Sequence, residues 1–172
     1  MAEKVKLECG LFSIKMFKDA KKFRVATGKA ISDTSFLNAV DRAMIDASVG
    51  EINLIQVSSV LPPGIERVNN LHRQRGAFRP AVMSKAVGSG KELAAGLAWG
   101  FREDGNGGYV IEHSLEKENI DIDSFEEKLE GKLEGMAEAR RTSLKDKKLT
   151  YERLHVDESK YGCTLAVLVY SP

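Results

Sequence analysis

Two segments of the chain carry apolar residues at helical spacing, and the remainder alternates or runs apolar in short stretches that suit strands. Phe36, Leu37, Val40, Ala43, Met44 and Ala47 recur at intervals of three and four, which predicts a helix over 36–47 with that stripe against a core and Asp41, Arg42 and Asp46 beside or opposite it. The polar turn Ser32-Asp33-Thr34-Ser35 offers N-cap candidates, and Gly50 suits the exit. Phe125, Leu129, Leu133, Met136 and the stem of Arg140 define a second helix ending near Arg141, entered through the capping box Ser124-Phe-Glu-Glu127. Strands are predicted over 23–27 (ended by Gly28), 52–57, 80–87, 93–102, 109–115, 150–156 and 162–170. The run at 52–57 is nearly continuously apolar, as in a strand covered on both faces, and Pro62-Pro63 soon deny it extension. Residues 93–102 fit helix or strand by pattern; the hairpin signal from Glu103 to Gly108 decides for strand. The tight polar turn at 157–160 predicts a final hairpin, and the whole order suits an α+β sandwich with mixed sheets.

At 172 residues, 42% hydrophobic and 30% charged, the chain is sized for one domain spanning 1–172 with a proper core. Lys plus Arg number 26 against 25 Asp plus Glu, and no helix carries a basic stripe, so neither nucleic acid nor an anionic membrane is an expected partner. A small molecule fits better. The first 17 residues interleave Glu3, Lys4, Lys6, Glu8 and Lys15 with their apolar positions, leaving no stretch of signal-peptide length, and no later run is long enough to span a bilayer; a cytoplasmic location is expected.

Several motifs carry no chemistry. Gly88-Ser-Gly-Lys91 lacks the phosphate-loop pattern, since Lys85 stands where a glycine is needed and Glu92 where a hydroxyl is needed. Cys9 and Cys163 read as reduced thiols, and His72, His113 and His155 are scattered without ligand spacing, so no metal is expected. The basic run His72-Arg73-Gln74-Arg75 is a surface loop or a carboxylate site; the sequence leaves both open.

What remains is Ser58-Ser59 at the end of an apolar run and just before a rigid Pro-Pro stop. Such a pair can break its own backbone. If the Ser59 hydroxyl attacks the Ser58 carbonyl, the peptide becomes an ester, β-elimination releases Ser58 as a new C-terminus, and the dehydroalanine at 59 hydrolyses to a pyruvoyl group. Asn53, inside the same apolar run, is costly to bury unless its amide is bonded; it is a satisfied structural residue or a donor beside developing negative charge. Glu112 follows Tyr109, Val110 and Ile111, where partial burial would raise its pKa and keep a proton on it.

The block NAVDRAMIDASVGEINLIQVSSVLPP (Asn38 to Pro63), the G-A-F-x-P segment at Gly76 to Pro80, Val110-Ile111-Glu112 and HVDESKYGCTLAVLV (His155 to Val169) resemble the small pyruvoyl-dependent arginine decarboxylases, over residues 20 to 170. The resemblance implies a four-layer αββα sandwich, self-cleavage into 1–58 (β chain) and 59–172 (α chain), and a covalent pyruvoyl group from Ser59 in place of pyridoxal phosphate. It implies decarboxylation of arginine to agmatine and CO2, with Asn53 and Glu112 as active-site residues, Glu112 protonating the carbon that loses CO2, and Asp41 accepting the substrate guanidinium in the bidentate way a carboxylate allows. It also implies a homotrimer. An extended chain from Asn53 to Ser59 spans roughly 20 Å at about 3.3 Å per residue, so Asn53 would serve a neighbouring subunit's Ser59. Two other readings stand beside this one: decarboxylation of a different amino acid, or an uncleaved, non-catalytic oligomer of the same fold.

Overall fold

A computed structural model describes residues 20–71 and 75–172. Cys9 and His72, Arg73 and Gln74 of the basic run lie outside the described residues. The chain order is β1 (Lys22–Ser32), α1 (Phe36–Asp46), β2 (Asn53–Gln56), β3 (Val60–Leu61), β4 (Glu66–Arg67), β5 (Phe78–Gly88), β6 (Lys91–Arg102), β7 (Gly108–Lys117), α2 (Ile122–Glu138), β8 (Leu144–Val156) and β9 (Tyr161–Ser171).

The strands form two sheets, one ordered β2-β5-β9-β1-β4 and the other β3-β7-β6-β8. Three apolar clusters define four layers. Phe23, Leu61, Val82, Leu97, Trp99, Val110, Leu168 and Tyr170 fill the space between the sheets. Ala39, Ala43 and Ala47 of α1 pack with Ala81, Leu165 and Val167 on the outer face of the five-stranded sheet, and Phe125, Leu129 and Leu133 of α2 cover Ala94, Ala98 and Ile111 on the outer face of the other. The layering is therefore α-β-β-α, an α+β fold. Only the five-stranded sheet is mixed, through the parallel pairs β1 with β4 and β2 with β5; every pair in the other is antiparallel. Among the described residues no helix is long and apolar enough to cross a membrane.

Several boundaries differ from expectation for local physical reasons. β1 does not stop at Gly28 but runs through it, because that position is where α1 comes closest: a Cβ there would stand 2.2 Å from the Ala43 carbonyl oxygen. The buried side of α1 is correspondingly the small stripe Ala39, Ala43 and Ala47, and the larger Phe36 and Leu37 are exposed, Leu37 at 79%. α1 is capped by Ser35, whose side chain accepts from the Asn38 N–H. The cap of α2 is Asp121, accepting from the Asp123 and Ser124 N–H groups, one turn before the expected capping box. β8 and β9, expected to pair as a hairpin, belong to different sheets: β8 pairs with β6, and β9 lies between β5 and β1. Their tight turn is a bridge between layers. β2, expected to be covered on both faces, is among the described residues a four-residue edge strand paired only with β5.

These packing differences separate two kinds of glycine. Gly28→Ala should lower stability by about 1–3 kcal/mol in urea unfolding, because backbone must move to admit the methyl. Gly131→Ala in α2, where a Cβ meets nothing within 4 Å, should instead raise it by up to about 1 kcal/mol.

Candidate active site

β2 and β3 are separated by only three residues, yet β2 hydrogen-bonds into the five-stranded sheet and β3 into the four-stranded one. Ser58-Ser59 is the crossing. On its N-terminal side the Val57 N–H donates to the Ala81 carbonyl at 3.0 Å, continuing the β2–β5 ladder. On its C-terminal side the Val110 N–H donates to the Ser59 carbonyl at 3.1 Å, and Val60 and Leu61 pair with Tyr109 and Gly108. Gly107, at φ +81, lets the β6–β7 turn close on this segment; a Cβ there would lie 2.0 Å from the Leu61 carbonyl oxygen. The Ser58 carbonyl accepts from the Val60 N–H at 3.1 Å, a bond spanning two residues that folds Ser59 into a tight turn.

β7 brings Glu112 to this turn. Ser59 Oγ donates to Glu112 Oε2 at 3.4 Å, the outer range of a hydrogen bond. A cavity of about 410 Å³ opens beside them, lined by Gln56, Ser84, Lys85, Glu112, His113 and Lys132. Glu112 is exposed in the single chain, so the burial expected from its apolar neighbours is not made within it. The arrangement has a hydroxyl, a carboxylate able to take its proton, and a carbonyl already holding an N–H, all on three consecutive residues and one facing strand.

Asn53 and Asp41 are not part of this cluster. Asn53 is exposed rather than buried; it sits at the start of β2, with its Nδ2 donating to the Gly76 carbonyl at 2.9 Å. Asp41 is exposed on α1, on the far side of the five-stranded sheet from the inter-sheet space. Within one chain, then, Ser58, Ser59 and Glu112 come together and Asn53 and Asp41 do not.

The family model for pyruvoyl-dependent arginine decarboxylases matches residues 22–172. The chain belongs to that family. Curated members similar to it include the pyruvoyl-dependent arginine decarboxylases of Methanothermobacter thermautotrophicus, 28% identical over 87% of this chain and 95% of that protein, and of Pyrococcus furiosus, 28% identical over 78% and 85%. The protein of the same name from Methanopyrus kandleri is 44% identical over a shorter stretch, 41% of this chain and 46% of that one. A solved pyruvoyl-dependent histidine decarboxylase aligns with a TM-score of 0.49 at 14% identity over 60% of this chain and 55% of that one. Ser59, with a carboxylate on its hydroxyl and a donor on the preceding carbonyl, has around it the groups that an attack on its own backbone would use.

Two groups that sequence reasoning missed in this member of the family are the Val60 N–H and Tyr170, whose hydroxyl donates to the Val60 carbonyl at 3.1 Å. The only signal for Tyr170 is a tyrosine at the end of a buried strand, whose hydroxyl needs a partner somewhere. His113, next to Glu112 but on the α2 side of β7, stacks on Phe125 at 5.0 Å, and its Nδ1 lies 3.0 Å from Lys132 Nζ. The ammonium donates, so the ring is neutral with its own proton on Nε2. Burial first, and then the neighbouring charges of Lys132, Lys128 and Lys117, hold His113 below its ordinary value of 6.5.

A histidine with a lowered folded-state pKa binds its proton less readily folded than unfolded, so it costs stability as pH falls below 6.5. Urea unfolding should show the wild type losing more stability than His113→Gln between pH 7.5 and 5.5. Parallel losses in both proteins would mean that His113 titrates alike in the two states.

Proposed function

We propose that this chain is a pyruvoyl-dependent arginine decarboxylase that makes its own prosthetic group by cleaving Ser58-Ser59 into chains 1–58 and 59–172. The observation that carries the reading is the Ser59 Oγ to Glu112 Oε2 contact at 3.4 Å, on a turn whose Ser58 carbonyl already accepts an N–H. Glu112 takes the hydroxyl proton, Ser59 Oγ bonds to the Ser58 carbonyl carbon, and the Ser58–Ser59 C–N bond breaks with the proton passed to the nitrogen, leaving an ester. Loss of the Ser59 α-proton then expels the Ser58 carboxylate, and water replaces the nitrogen of the dehydroalanine, which leaves as ammonia.

The pyruvoyl group, bonded to the substrate amine, supplies an electron sink for decarboxylation. The chain's own residues hold and protonate. Glu112, at the mouth of the cavity, delivers a proton to the carbon that has lost CO2, and the role needs a protonated carboxyl at that point in the cycle. Arginine as substrate gives agmatine.

Asn53 and Asp41 join the site, in this reading, from neighbouring subunits of a homotrimer, and exposed apolar side chains support this. Leu37, Asp41 and Ile45 share one face of α1 at successive four-residue steps, and Leu37 and Ile45 are both exposed. Phe78, 54% exposed, is the register partner of Asn53 across β2 and β5. A contact between subunits that covers these residues also carries Asn53 and Asp41. Asp41 then offers the planar acceptor pair that distinguishes a guanidinium from an ammonium. The reading keeps the cytoplasmic location expected from the sequence.

Wild-type protein should release CO2 from arginine in preference to lysine, ornithine, histidine and aspartate. Ser59→Ala should remain one chain with no activity, and Glu112→Gln should lower turnover by about 100-fold or more, the usual range for a proton-transfer group. Another amino acid turned over faster would change the substrate; an active Ser59→Ala would end the reading. Co-expressed Asn53→Ala and Ser59→Ala chains should regain activity that neither has alone, because mixed trimers hold sites with both residues intact. No regain would put Asn53 and Ser59 in the same chain's site.

A further inference from the structure

We propose that Lys85 and Lys132 form a subsite for the substrate α-carboxylate in the cavity beside Glu112, a subsite that favours the amino acid and disfavours the amine left once CO2 departs. The inference rests on the decarboxylation reading above.

The cavity follows from the chain crossing. β3 covers the edge of β7 at Gly108 and Tyr109, with the Ser59 carbonyl taking the Val110 N–H, and from Glu112 onward that edge has no strand beside it among the described residues. The space of about 410 Å³ left there is walled from several elements: Lys85 comes from β5, Glu112 and His113 from β7, and Lys132 from α2.

Its charge is lopsided. Two lysines face a single lining carboxylate, Glu112. Glu116, further along β7, is turned to the Val87 N–H at 3.4 Å instead. Lys85 is exposed and forms no hydrogen bond or ion pair with another described residue. Lys132 places donors on His113 Nδ1 at 3.0 Å and on the Glu112 carbonyl at 3.4 Å, and an ammonium has a third to offer. His113 feels the same field: after burial, the charges of Lys132, Lys128 and Lys117 hold its pKa down. When Glu112 carries the proton that it must deliver, the lining holds two positive charges and no negative one.

A substrate joined through its amine at position 59 has its carboxylate close by, on the side where Glu112 stands. This wall attracts that carboxylate and repels a guanidinium, so it sorts the two ends of arginine. Both lysines are exposed, and water screens them enough that the attraction draws the carboxylate in without locking it in a tight pair. A tight pair would stabilise the very charge that the reaction removes. As the bond from Cα to the carboxylate breaks, its electron pair stays with Cα and CO2 leaves uncharged. The amine product then sets only positive groups against Lys85 and Lys132, which favours its release.

The test is steady-state kinetics with arginine, and inhibition by agmatine, on protein shown by denaturing gel to have divided. Glutamine keeps a donor and removes the charge. Lys85→Gln and Lys132→Gln should each raise KM for arginine about 3- to 5-fold, the size of an exposed ion pair, without lowering kcat. Each should also lower the inhibition constant of agmatine, making the product bind more tightly. Opposite movement of the two constants is the signature, since a merely loosened site weakens both. Lys85→Arg and Lys132→Arg, which keep the charge, should leave both constants near wild type. The inference is overturned if KM and the inhibition constant rise together in either glutamine variant, if neither moves, or if the arginine variants shift as the glutamine ones do. Divided wild-type protein that releases no CO2 from arginine overturns the decarboxylation reading instead, and this inference falls with it.

Discussion

Everything at the reactive turn depends on one constraint: the chain leaves one sheet and enters the other within three residues. Val57 is fixed to Ala81 of β5, Ser59 O and Val60 to β7, and the peptide between them has to fold tightly enough for the Ser58 carbonyl to meet the Val60 N–H. A longer connection would let the Ser59 hydroxyl swing away from Glu112; a continuous strand would spend the Ser58 carbonyl on a ladder bond. The sandwich needs a crossing at this edge to close its layers, and the crossing holds a hydroxyl, a carbonyl and a carboxylate in the order that backbone serinolysis uses.

In the proposed cleavage the same constraint gives the two products separate anchors. Residues up to Ser58 include β1 and α1, which are built into the five-stranded sheet and its outer core. Residues from Ser59 onward include β3, paired with β7 in the four-stranded sheet. Breaking the bond between them removes a link between sheets that Trp99, Leu97, Val110 and Leu168 already hold together by burial. Relief of the turn is local, and the fold loses no hydrophobic contact to it.

Much of the fold was legible in the residues, and the reasons for the misses are physical. Helices α1 and α2 showed themselves by spacing, and the β6–β7 hairpin by its glycine-rich turn, because these are decided within a few residues. The buried side of α1 was legible in Val40, Ala43, Met44 and Ala47 but not at its start, where the pattern pointed to Phe36 and Leu37 and missed Ala39, which with Ala43 and Ala47 lets the helix approach Gly28. The β8–β9 turn looked like a hairpin because turn chemistry is the same whether the chain folds back in one sheet or steps to another. At the site, Ser58 and Ser59 could be named from their motif and Glu112 from the family resemblance, and the structure brings them together. The exposure of Asn53 and Glu112 was not foreseen, because apolar neighbours in sequence do not decide whether a residue's own face is covered. The bond from Tyr170 to the Val60 carbonyl left no sequence trace beyond a tyrosine at the end of a buried strand, since a hydrogen bond between positions 110 residues apart has no local pattern.

The most direct measurement of the central claim is the intact mass of the purified wild-type protein, denatured and reduced. Two species should be found: residues 1–58 ending in a free carboxylate, and residues 59–172 beginning with a group that carries no amine and reacts as a ketone. A single species with the full 172-residue mass and an unmodified serine at position 59, in protein that is folded and stable, would contradict the claim.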